Sequence, residues 1–122
     1  MVKLVAAFQR YAEAIYMALP NASLFPPRRN LFQNLADSSQ RWRDATGKGY
    51  EDLLAAAELS ELQVYFQQRH LLAHKEGIVD QEYIHKSGDR SYLPAQRLVI
   101  KESAVLRLAD LVDKLGAAIK TL

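Results

Sequence analysis

The side chains best equipped for chemistry stand together near the middle of the chain, in Arg69-His70-Leu71-Leu72-Ala73-His74. Arginine is permanently cationic and offers a planar fork of donors suited to a phosphate. Histidine gives or takes a proton near neutral pH without help from its surroundings. A cation to stabilise charge and an imidazole to move a proton are the minimum equipment for cleaving RNA without a metal. At about 100° per helical residue, Arg69 and His74 point roughly 140° apart. They share a neighbourhood but not a face, so one copy of the segment makes a poor closed site.

The helix that carries them is apolar on two sides. With Leu62 as zero, Phe66 falls near 40°, Arg69 near −20° and Ala73 near 20°, flanked by Tyr65 and Leu72 at about −60° and −80°. Val64 and Leu71 form a second strip near 190°, so the helix is expected to pack in its own bundle and against another body. Arg69 therefore points along an apolar stripe, where an isolated charge is strongly disfavoured. The plain structural reading is that it snorkels outward or pairs with an acid such as Asp110 or Glu58. His70 and His74, four apart, have the spacing of paired zinc ligands. No glutamate follows His70, the chain has no cysteine, and the third histidine, His85, lies beyond Gly77, so no metal site is expected.

The positioning elements read as helices throughout. The first is expected from Val2 to about Leu19, with Leu4, Phe8, Tyr11, Ile15 and Leu19 spaced by three and four. Pro20-Asn21 ends it and Pro26-Pro27 closes a short loop. A second helix is expected from near Arg28, carrying Leu31, Phe32, Leu35 and Trp42 and finishing before Gly47. Gly47-Lys48-Gly49 is a turn, and Tyr50 to Glu58 reads as a short alanine-rich helix. Ser60 with Gln63 fits a capping box opening the central helix, and Gly77 is a natural stop. Asp80 is placed to cap a single turn through Tyr83, and Lys86 to Pro94 reads as a polar loop. Arg97 to Ile100 is at most a short extended piece. Ser103 is expected to cap the last helix, whose seam of Val105, Leu108, Val112, Leu115, Ile119 and Leu122 must bury against the other helices or a second subunit. The expectation is an all-α, up-and-down bundle of four to five helices.

Bulk properties bound the rest. The 122 residues suit one domain over 1–122, without internal repeat or linker. Nearly half are apolar, at 49%, which is enough for one core. No stretch reaches the roughly 18 unbroken apolar residues a membrane span needs. The opening Met1-Val2-Lys3-Leu4 runs into a helical pattern interrupted by Arg10 and Glu13, unlike the apolar region of a signal peptide. Without cysteines there are no disulfides, thiolate metal sites or cysteine nucleophiles, and a cytoplasmic protein is expected. A net charge of +2 fits contact with a few phosphates rather than a general nucleic-acid coat.

Arg69 to His74 resembles the signature of HEPN domains, an arginine and a histidine separated by four to six residues, in which a polar residue such as His70 commonly follows the arginine. Lys75 to Tyr83, and within it Gly77-Ile78-Val79-Asp80 with Tyr83, resembles the continuation of many such sequences. The resemblance covers the whole chain in architecture and Ser60 to about Ile84 in residues. It implies a homodimer in which two motif-bearing helices meet, supplying from the partner what one helix cannot place. It also implies metal-independent endoribonuclease activity, without a cofactor, in a toxin–antitoxin or anti-phage defence system, with RNA as substrate and an antitoxin or larger defence assembly as further partner. Arg69 would stabilise the phosphate and transition state, His74 would act as general acid or base, and His70 would orient the site or contact phosphate. A branch of HEPN toxins carries a tyrosine two positions after the last motif histidine, as the target of a modifying partner. Here that position is Glu76, so that mode of inhibition does not carry over. The alternatives are a non-catalytic HEPN-like module for dimerisation, partner docking or nucleotide binding, and a helical bundle with a chance motif.

Overall fold

The structure is a computed structural model that describes residues 1–27 and 31–122. It is an all-helical bundle: α1 (Val2–Met17), α2 (Leu35–Thr46), α3 (Ala56–His74), α4 (Gln81–Ser87) and α5 (Glu102–Ile119), with short 3-10 helices at Leu31–Gln33 and Tyr50–Asp52. Among the described residues there is no strand. One antiparallel bridge between Ile78 and Arg97 marks where the expected extended piece lies.

α3 is the central element, packed on α1, α4 and α5. Leu62 and Phe66 enter the main core, where Phe66 meets Phe8 of α1 edge-on at 6.2 Å. The α5 seam turns inward as expected: Leu108, Val112, Leu115 and Ile119 are buried in that same core. Two ion pairs tie α5 to α3 from outside. Arg107 grips Glu61 through two hydrogen bonds of 2.8 and 3.1 Å, and Lys114 holds Glu58 at 2.8 and 2.9 Å. The earlier α3 acid meets the later α5 cation, so the two helices run antiparallel. At the far end of the core, the Tyr16 ring lies edge-on to Trp42 at 5.3 Å and against Phe32 at 5.6 Å.

Several boundaries differ from expectation. Residues 31–46 are two helices, because the Asn34 side chain accepts the Asp37 N–H at 2.9 Å and so starts α2 one residue later. The expected start near Arg28 lies outside the described residues. α3 opens at Ala56 rather than Ser60: Glu58 reaches back to the Ala55 N–H at 3.0 Å, which absorbs the expected alanine-rich helix into the central one. The Ser60–Gln63 capping box is therefore absent, since both residues lie inside the helix. α5 begins at Glu102, ahead of Ser103, without a side-chain cap. Asp80 does cap α4, accepting the Tyr83 N–H at 2.8 Å, but that helix runs on to Ser87 instead of stopping after one turn. α1 buries more than its expected stripe: Phe8 is buried and Leu4, Ile15 and Leu19 pack against the core as expected, but Val5, Ala12 and Tyr16 are buried as well and Tyr11 is 39% exposed. Its wall faces both α5 and the Trp42 end, which a single stripe does not describe.

The second apolar strip of α3 finds its cover within the chain. Leu71 is buried with Val79, Tyr83 and Leu98 in a small cluster that Leu72, Ile84, Tyr92 and Ile100 complete. The body expected against that side is thus, at Leu71, α4 and the 92–100 segment. Removing a large side chain from the main core should be costly: Leu62→Ala is expected to lower unfolding free energy by about 2–5 kcal/mol. Val99→Ala, at a position 68% exposed, should stay within about 0.5 kcal/mol. Urea denaturation of both variants checks this, and equal losses would contradict the core assignment.

Candidate functional site

The end of α3 is built by a sharp reversal. The Leu71 carbonyl accepts from both the Lys75 N–H at 2.8 Å and the Gly77 N–H at 2.9 Å. Glu76 at φ 56° and Gly77 at φ 74° are two successive left-handed residues. Gly77 is thus the expected stop, and an added Cβ there would be strained whatever the space around it. Past the turn the chain is clamped by bonds from Leu98 N–H to the Gly77 carbonyl, Val79 N–H to Gln96 and Ala95 N–H to Val79. α4 then runs back along α3.

That hairpin brings α4 side chains to the motif. Gln68 Nε2 donates to the Tyr83 hydroxyl at 3.3 Å, which donates to Asp89 Oδ2 at 2.6 Å. Burial and the Asp89 carboxylate both raise the Tyr83 pKa, so its hydroxyl stays a donor. Burial alone would raise the Asp89 pKa, but the Tyr83 hydroxyl and Ser91 N–H outweigh it, and Asp89 is held below its ordinary range. Tyr83 is therefore structural, buried in the cluster with Leu71 and hydrogen-bonded at its hydroxyl.

Arg69 is half-buried, and its Nε is buried without a hydrogen-bond partner among the described residues. The acids considered for it do not neutralise it: both Glu58 oxygens hold Lys114, and among the described residues no ion pair joins Arg69 to Asp110. His70 and His74 are exposed, with ring centroids 5.0 Å apart. The cation thus points toward the apolar side and the imidazoles outward, as the helical angles require. Among the described residues no group of three or more His, Cys, Asp or Glu could hold a metal.

Partial burial and then the positive charge of His74 lower the His70 pKa, against an opposing pull from Glu82. Glu82 was not singled out in the sequence; it comes close because α4 folds back. The same reversal supplies Arg97, whose Nη1 donates to the Glu76 carbonyl at 3.0 Å and sets a further cation at this end of the bundle.

Comparison with protein-family models, with curated proteins and with solved structures finds no match to this chain. No helix among the described residues is long and apolar enough to cross a membrane.

Because the folded His70 pKa is depressed, the folded state binds fewer protons than the unfolded chain just below the ordinary histidine value. The contribution of His70 to stability is complete above that value and lost as pH falls toward its folded pKa. NMR titration should show His70 titrating below the ordinary histidine value and rising in His74→Gln. An unchanged His70 midpoint would contradict the coupling of the two rings.

Proposed function

We propose that this chain is a HEPN-type, metal-independent endoribonuclease that works as a homodimer, with Arg69, His70 and His74 of two protomers in one cleft. The observation that carries the reading is Arg69: among the described residues its guanidinium has no acid to neutralise it and its buried Nε no acceptor, and two exposed imidazoles stand beside it at the end of the helix. A buried donor left unpaired costs about 1–3 kcal/mol, and a phosphate oxygen is the acceptor that would satisfy it. The all-helical bundle, with the motif at the end of its central helix, agrees with the architecture the resemblance implies.

In this reading one imidazole takes the proton from the ribose 2′-hydroxyl as its oxygen attacks the adjacent phosphorus. The O2′–P bond forms, and Arg69 stabilises the dianionic phosphorane through charge-assisted bonds. The P–O5′ bond then breaks as a second imidazole protonates the leaving O5′, giving a 2′,3′-cyclic phosphate and a free 5′-hydroxyl. Two imidazoles on opposite sides of one phosphate are more than a single α3 can present, because His70 and His74 stand on one face with ring centroids 5.0 Å apart. The two-fold partner supplies the second set. His70, with its lowered proton affinity, suits the accepting role at neutral pH. A cytoplasmic toxin or anti-phage role, and an antitoxin or defence-assembly partner, rest on the sequence resemblance alone.

The purified protein should cleave single-stranded RNA with EDTA present and leave cyclic phosphate ends. Arg69→Ala and His74→Ala should each reduce cleavage by at least roughly 100-fold while size-exclusion chromatography still shows a dimer. Equal cleavage by wild type and both variants would overturn the reading, and a folded dimer with no RNA cleavage would favour a non-catalytic module.

A further inference from the structure

A cavity of about 700 Å³ opens between α2, the Tyr50–Asp52 turn, the first half of α3 and the end of α4, away from the motif residues. Its volume is that of a small-molecule site. The apolar part is formed by Leu35, Ala36 and Leu59; around it stand Gln63, His85 and Lys86. Among the described residues, neither the Gln63 amide nor the His85 ring has a hydrogen-bond partner. Glu51 also lines it, already held by Ser39 Oγ at 2.9 Å and by Arg43.

These groups fit a nucleobase better than a phosphate. The Glu51 carboxylate is already committed to Ser39 and Arg43, and the aliphatic side chains of Leu35, Ala36 and Leu59 offer an apolar surface on which the face of a ring can lie. A primary amide such as Gln63 presents a donor and an acceptor side by side, matching the paired edge of a base. An imidazole such as His85 can stack on a base face, as aromatic side chains do in single-stranded RNA recognition.

The cavity is continuous in direction with the histidines. Gln63, His70 and His74 lie on one face of α3, seven and four residues apart, so Gln63 and His70 are separated by roughly 10 Å along the axis. That is about three nucleotides of stacked strand. Lys86, which lines the cavity, donates to Glu82 at 2.7 Å, and the Glu82 charge is felt at His70. The surface between cavity and imidazoles is thus a neutralised acid–base pair rather than an electrostatic barrier.

We infer that this cavity is a base-binding subsite, seating one unpaired nucleobase of an RNA strand within a few nucleotides of the phosphate held at Arg69 and His74. The inference rests on the ribonuclease reading for the origin of the strand. The test measures binding of fluorescein-labelled single-stranded RNA hexamers (oligo-A, oligo-C, oligo-G and oligo-U) to the full chain carrying His74→Ala. One of the four should bind preferentially. Adding Gln63→Ala should weaken that hexamer roughly 5- to 100-fold and flatten the preference. Ser60→Trp, which fills the cavity from its rim, should do the same, with circular dichroism confirming the fold.

Hexamer binding with the same preference after both substitutions would overturn the subsite and leave the ribonuclease reading standing. No binding of any hexamer, together with no cleavage by wild type, would overturn both. A second arm titrates nucleoside monophosphates while following His85 by NMR. Shifts at His85 without hexamer binding would assign the cavity to free nucleotides and overturn its role as an RNA subsite.

Discussion

The reversal at Glu76 and Gly77 is the constraint on which the site depends. Two consecutive left-handed residues are unfavourable for an ordinary side chain such as Glu76, by about 1–2 kcal/mol. The turn persists because the surrounding structure fixes it: the Leu71 carbonyl takes two N–H groups, and the 95–98 segment binds the chain immediately beyond. The result is an α3–α4 hairpin in which the last turns of α3 face the start of α4. Gln68 thereby meets Tyr83, and His70 comes under the influence of Glu82. The reversal also buries Leu71 in its own small cluster, which gives the last turns of α3 a rigid support.

That support lets a cation remain where its surroundings do not favour it. Arg69 stands between the main core, entered by Leu62 and Phe66, and the smaller cluster around Leu71. The neighbouring ion pairs are made by other residues: Glu61 and Glu58 are committed to Arg107 and Lys114, which brace α3 against α5. α3 is thus held by apolar burial and exterior ion pairs, while among the described residues the Arg69 Nε is left without a hydrogen-bond partner.

Much of this was legible in the sequence. The three- and four-residue spacing of Leu108, Val112, Leu115 and Ile119 identifies the buried face of α5, and the two-sided pattern of α3 foretells that it is covered on both sides. The divergence of Arg69 from the histidines follows from helical geometry alone. What local patterns did not supply were contacts set by distant chain. Glu58 rather than Ser60 starts α3, because a carboxylate three residues into a helix can reach the preceding N–H. Leu71 looked like a surface for a separate body because nothing local shows that α4 and residues 92–100 fold over it. Arg97 lies 21 residues from the Glu76 carbonyl it binds, and only the fold brings them together.

In the proposed dimer, two copies of α3 meet at a two-fold axis to form one Arg/His cleft. The chain contains no cysteine, so Lys75→Cys, at an exposed position just past His74, gives a single site for a spin label. Pulsed dipolar spectroscopy on that labelled protein measures the distance between protomers directly. A single narrow distance, shorter than the roughly 30 Å diameter of a small domain, is the predicted result. A monomer, or a dimer whose labels lie farther apart than one domain, would contradict the composite site.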